Sequence, residues 1–106
     1  MAILFEVKDP FGVVILCTVA WWVEHVLSQR SEMSDYLFWV KKAISSPDAI
    51  YDSTKKKNHH VHYILPTGKK LYVRVIVRIH DSKKGEFITA HLIDKPKQGE
   101  RLIWSR

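Results

Sequence analysis

The chain has 106 residues, which suits a single domain over 1–106 with a modest core of its own. Hydrophobic residues make up 46% and charged residues 26%, which excludes a disordered chain, and no apolar run reaches the roughly 18–20 residues that span a bilayer. Lys and Arg number 17 against 11 Asp and Glu, so the formal net charge of +6 favours polyanions such as nucleic acid, unless the excess lysine only keeps a small protein soluble.

The first element in chain order is "ILFEVKD" (3–9), a predicted strand with Ile3, Phe5 and Val7 on one side. "DPFG" (9–12) is turn chemistry, because Pro presets φ and Gly takes positions other residues avoid. "VVILC" (13–17) is a second strand, so 3–17 reads as a hairpin. The longest apolar run, "FGVVILCTVAWWV", contains Gly12 and Thr18 and has no basic flank before it, so neither a signal peptide nor a transmembrane segment is expected. Cys17 has no second cysteine to pair with and sits in that run, which fits a buried thiol and a cytoplasmic location.

Thr18 is a plausible N-cap for a helix over about 19–30, with Val19, Trp22, Val23, Val26 and Leu27 as its buried stripe. At 100° per residue His25 falls on the flank of that stripe, near Trp21. A second helix is predicted over about 34–46 on Leu37, Val40 and Ile44, stopped at Ser46 by Pro47. Residues 49–53 read as a short strand or extended loop. Residues 59–65, 71–80 and 87–93 read as strands of an antiparallel meander, and Leu102, Ile103 and Trp104 give the tail apolar residues on which to fold back. The fold class expected is α+β, with two N-terminal helices on one face of an antiparallel sheet of about four to five strands.

Alternation assigns faces to the meander. Leu71, Val73, Val75, Val77 and Ile79 point inward, as do Ile88, Ala90 and Leu92, and Val61, Tyr63 and Leu65. The open face then collects Tyr72, Arg74, Ile76, Arg78 and His80, with Phe87, Thr89, His91 and Ile93, and His60, His62 and Ile64. Histidine and arginine interleaved with aromatics suit a polyanion with bases to stack, and Tyr72, Arg78 and His62 are candidate substrate contacts. A merely polar outer face is the plainer reading. The lysines at 55–57 and 83–84 read as solvated loops.

His60 and His62, with His91, offer three imidazoles, but no carboxylate or cysteine accompanies them at a zinc spacing, so no metal and no cofactor are expected. No GxSxG, Gly-rich phosphate loop or Cys-x-x-Cys occurs, and the acidic residues form no magnesium cluster. Metal-free RNA cleavage needs a base for the 2′-OH, an acid for the leaving oxygen and a cation for the phosphorane. Histidine and arginine supply those parts.

The order "W-x-x-H-V" (22–26), "E-M" (32–33), "A-I-x-x-P-D-A-I" (43–50), the valines 73, 75 and 77, "I-T-A-H" (88–91) and a final stretch from Gly99 to Trp104 covers most of the chain. It resembles the phage and bacterial branch of the barnase–EndoU–colicin–RelE nuclease superfamily. The resemblance implies a RelE/barnase-like α+β fold and a metal-independent endoribonuclease, a toxin or phage-derived effector. It carries over His25 as the acid–base residue, with Thr89 and with His91, where the family often has tyrosine. This chain has Arg30–Ser31–Glu32 where the family continues H-P-E, which makes Arg30 a candidate phosphate clamp. Arg74, near the middle of its strand, is the arginine favoured for phosphate. The partners expected are RNA and an acidic antitoxin-like protein, with no membrane. The alternatives are an RNA-binding module without turnover and a protein-interaction domain on the same scaffold. For His25 the plain alternative is a helix-flank side chain packed on Trp21.

Overall fold

The hairpin turn shows how local chemistry starts the fold. Asp9 Oδ1 accepts from the backbone N–H of Phe11 and of Val13, both at 2.9 Å, and Gly12 takes φ +88°. The strands on either side, β1 (Ile3–Lys8) and β2 (Val14–Thr18), pair antiparallel. The computed structural model describes residues 1–97 and 100–106. Gly99, the first residue of the last family motif, lies outside the described residues.

Thr18 caps the next segment as expected, accepting from Trp21 N at 3.1 Å. The helix predicted over 19–30 is shorter and irregular. One α turn, α1 (Val19–Trp22), widens into a π turn at Val23–Leu27, and a 3₁₀ segment follows at Ser31–Tyr36. Helix α2 (Leu37–Ser45) buries Val40, Ala43 and Ile44 and ends at Ser46, before Pro47. No helix of the described residues is long and apolar enough to cross a membrane.

The remaining strands are β3 (Ala49–Asp52), β4 (His59–Ile64), β5 (Tyr72–Ile79), β6 (Lys84–Ile93) and β7 (Arg101–Ser105). The fold is α+β, but the sheet has seven strands in the order β1-β2-β6-β5-β4-β3-β7. It is mixed, because β2 runs parallel to β6. The four-to-five-strand antiparallel sheet expected from sequence is therefore corrected. Its meander is present, but the N-terminal hairpin joins it through a pairing between residues some seventy positions apart, which no local pattern can signal. The tail does fold back, as an edge strand on β3.

The helical layer covers one face. Beneath it lie Phe5, Ile15 and Cys17 from the hairpin, Val73, Val75 and Val77 from β5, and Phe87 and Ala90 from β6. Burying each larger apolar side chain contributes about 1.5–3 kcal/mol. Cys17 is a free buried thiol whose pKa burial pushes up to about 12, so it is inert.

Two face assignments are overturned. On β4, His62 pairs with Val75 and Ile64 with Val73, so His60, His62 and Ile64 face the helices, while Val61 and Tyr63 face the other way. The alternation was correct and its phase was not: Val61 and Tyr63 are buried because something else covers them. On β6, a bulge opposite Ile76 and Val77 turns Phe87 into the core at 2% exposure and leaves Ile88 on the outer face. Leu71 precedes β5 and is exposed rather than inward.

On the outer face Tyr63 is covered by described residues of the connection from β6 to β7. That connection must pass the width of β5, β4 and β3, and it crosses the outer face, where Lys97 N donates to Tyr63 Oη at 3.2 Å and Glu100 Oε1 accepts from the same hydroxyl at 2.8 Å.

Candidate functional site

Strand β2 accompanies β6 only at Lys84–Glu86, because the chain turns into α1 at Thr18. Beyond that point α1 itself meets the edge of β6. Trp21 Nε1 donates to the Ile88 carbonyl at 2.9 Å. His25, one helical turn on, stacks on the Trp21 ring with centroids 3.8 Å apart. The predicted flank position of His25 is therefore real, and its ring stays exposed. Among the described residues it makes no hydrogen bond or ion pair, so none joins it to Arg74, Thr89 or His91.

Arg74 lies on the outer face, as expected, but only 6% of it is exposed. Its Nε donates to Tyr63 Oη at 3.0 Å and its Nη2 to Glu100 Oε2 at 3.0 Å, while Nη1 lies 3.5 Å from His91 Nε2. The Tyr63 ring centroid lies 5.9 Å from the Arg74 guanidinium carbon. Arg74 is thus an anchor of the β6–β7 connection and not an open clamp.

His91 pairs across with Arg74 in register. Burial, then the positive charges of Arg74, Arg30 and Lys97, lower its pKa to about 4. The lowered pKa favours the neutral imidazole, which is a weaker general acid than the imidazolium. Its Nδ1 is buried without a hydrogen-bond partner among the described residues. The charge of Arg30 is close enough to contribute to that lowering, while Arg74 is the arginine seen within 3.5 Å of His91.

A groove of about 240 Å³ opens beside this cluster. Its floor is Val61, Ile76 and Ile88, and its walls include Lys55, Lys56, His59, Thr89 and Lys97, with Arg74 at its base. The loop before β4 brings in its lysines because Asn58, at φ +63°, turns the chain back onto the sheet. Lys55 and Lys56, read from sequence as solvated loop, are walls of this groove. The triple lysine was visible, but nothing local indicates which face a loop folds over.

The other predicted site residues separate. His62 is fully buried under α2 with Nδ1 3.1 Å from the Ala43 carbonyl, so it cannot touch a substrate on the outer face. Burial lowers its pKa to about 4. Arg78 is on the outer face but toward the far end of β5, 3.9 Å from Glu86. Tyr72 stands at the other end, edge-on to Tyr63 at 6.2 Å. His60 and His62 face opposite to His91, and among the described residues no group of three or more His, Cys, Asp or Glu converges to hold a metal ion. A larger cavity, about 580 Å³, lies over the β1–β2–β6 end with Val14 and Leu16 exposed to it and Glu6 and Glu86 on its rim.

No protein-family model, no curated protein and no solved structure matches this chain. The nuclease resemblance therefore rests on its motif residues alone.

Proposed function

We propose that the outer sheet face binds single-stranded RNA in a reducing compartment. The observation that carries this reading is the groove in which Lys55, Lys56, Lys97 and His59 surround an apolar floor of Val61, Ile76 and Ile88. Phosphates take the cations, and the half-buried Ile76 and Ile88 of the floor offer apolar contact to base faces. The +6 net charge supports the same partner class, and an acidic antitoxin-like protein would meet the same cations. Replacing Lys55 and Lys56 together with Ala should weaken RNA binding and flatten the plot of log affinity against log salt by roughly 1.4. Unchanged affinity and slope would remove the proposal.

A second reading, metal-independent endoribonuclease on a RelE/barnase-like scaffold, is favoured by one observation. His25 is exposed and held on Trp21, which is itself fixed to the β6 edge next to Thr89. In that chemistry the 2′-oxygen attacks phosphorus and loses its proton to a base. The bond to the 5′-oxygen breaks as an acid protonates it, leaving a 2′,3′-cyclic phosphate and a 5′-hydroxyl. His25 is the proposed acid–base residue. The lowered pKa of His91 favours a neutral imidazole, which makes His25 the preferred acid in this reading. Cleavage of a labelled RNA in EDTA should fall roughly 10²–10⁴-fold in His25→Ala. Equal cutting by both proteins would remove His25 from the chemistry, and no cutting by either leaves binding without turnover.

A further inference from the structure

The donors around Arg74 are arranged for an anion, and the anion present is the chain's own. Glu100 places one carboxylate oxygen on the Tyr63 hydroxyl at 2.8 Å and the other on Arg74 Nη2 at 3.0 Å. The Arg74 and Glu100 side chains are 7% and 11% exposed. Arg30 and Lys97 add positive potential at the same place, as felt by His91, while Glu100 is the sole carboxylate paired to Arg74 among the described residues. Arg74 and Lys97 also border the groove. A guanidinium fork with a phenol beside it binds two oxygens of a phosphate as it binds two of a carboxylate.

We infer that Arg74 and Tyr63 form a phosphate site that Glu100 fills as an internal stand-in. A phosphate in the groove must displace that carboxylate to reach Arg74. The inference deepens the RNA-binding reading and rests on it for the source of the phosphate. The contact would hold the affinity of the groove down and leave Arg74 available to a ligand that displaces the Glu100 carboxylate.

The test is Glu100→Gln, which keeps the shape and hydrogen-bonding reach of the side chain and removes its charge. With the thermal transition showing a folded protein, affinity for a single-stranded RNA should rise roughly tenfold or more, the worth of one charge-assisted hydrogen bond. The salt dependence should steepen by roughly 0.7, one further phosphate contact on a single strand. Unchanged or weaker affinity in a folded Glu100→Gln overturns the inference. If that variant does not fold, Glu100→Asp, whose carboxylate is one methylene short, should show a smaller rise, and no rise overturns it. If neither wild type nor variant binds RNA, the RNA reading fails by itself. Inorganic phosphate then decides the site: it should raise the Tm of Glu100→Gln and not that of wild type, and no rise in the variant overturns the inference.

Discussion

The Nδ1 of His62 lies 3.1 Å from the Ala43 carbonyl oxygen, a bond that ties β4 to the last turns of α2. His62 Nε2 is buried and has no hydrogen-bond partner among the described residues, so a proton placed there would be an uncompensated buried charge.

Acid should therefore loosen this interface. Burial lowers the His62 pKa to about 4 in the folded protein, against 6.5 for the free side chain. Above pH 6.5 the imidazole is neutral in both states and the fold is at full strength. As pH falls from 6.5 toward 4 the unfolded chain binds the proton first, and stability drops by up to about 3 kcal/mol. His91, also near 4, and His60, lowered by burial, act in the same direction. Urea unfolding across that pH range should show the decline, and His62→Gln should make it shallower. An identical pH slope in the variant would count against the His62 assignment.

Gly85 should not tolerate a side chain. A Cβ there would sit 2.7 Å from the Arg78 carbonyl oxygen and 2.8 Å from Ile15 Cδ1. The first is backbone of the neighbouring strand and cannot rotate away. Gly85→Ala should cost about 1–3 kcal/mol, read as a lower denaturant midpoint with unchanged slope.

Asp9 separates a hydrogen-bonding role from a charge. Oδ1 accepts from Phe11 and Val13, while Oδ2 is buried without a partner among the described residues. Desolvation raises the pKa of the carboxyl, which means the charged form is held at a cost. Asp9→Asn, which keeps the Oδ1 acceptor, should be close to neutral at pH 7. Asp9→Ala should lose about 1–2 kcal/mol by leaving two turn N–H groups without their acceptor. Equal losses in the two variants in thermal unfolding would contradict this division.

Trp21 joins α1 to β6 by one bond, Nε1–H to the Ile88 carbonyl. Trp21→Phe keeps a ring under His25 and removes the donor, so about 0.5–1.5 kcal/mol should be lost. Hydrogen exchange at the Thr89–Ile93 end of β6 should quicken in the variant. Unaltered exchange there would show that the bond does not hold the edge.

Much of the local structure was legible along the chain. Thr18 as a cap, the Asp9–Gly12 turn, the stop before Pro47 and the alternation of Val73, Val75 and Val77 follow from residues within a few positions of one another. His25 on the flank of Trp21 is equally local, since one helical turn separates them. The phase of β4 was not legible, because Tyr63 and His62 are both fully buried and only their covers differ: the crossing connection on one side and α2 on the other.

The sequence by itself therefore determined which segments are strands and turns, and that the chain is α+β with a basic surface. Only the tertiary structure decided which basic and titratable groups meet. The seven-strand order pairs β2 with β6 and sends the β6–β7 connection over the outer face. That crossing buries Arg74 against Glu100, and it puts Lys97 on the same groove as Lys55 and Lys56. The physical reason is one of range. Capping, turns and alternation are settled by neighbours along the chain. The face a loop covers is settled by pairings between strands far apart in sequence, and these leave no periodic mark on it.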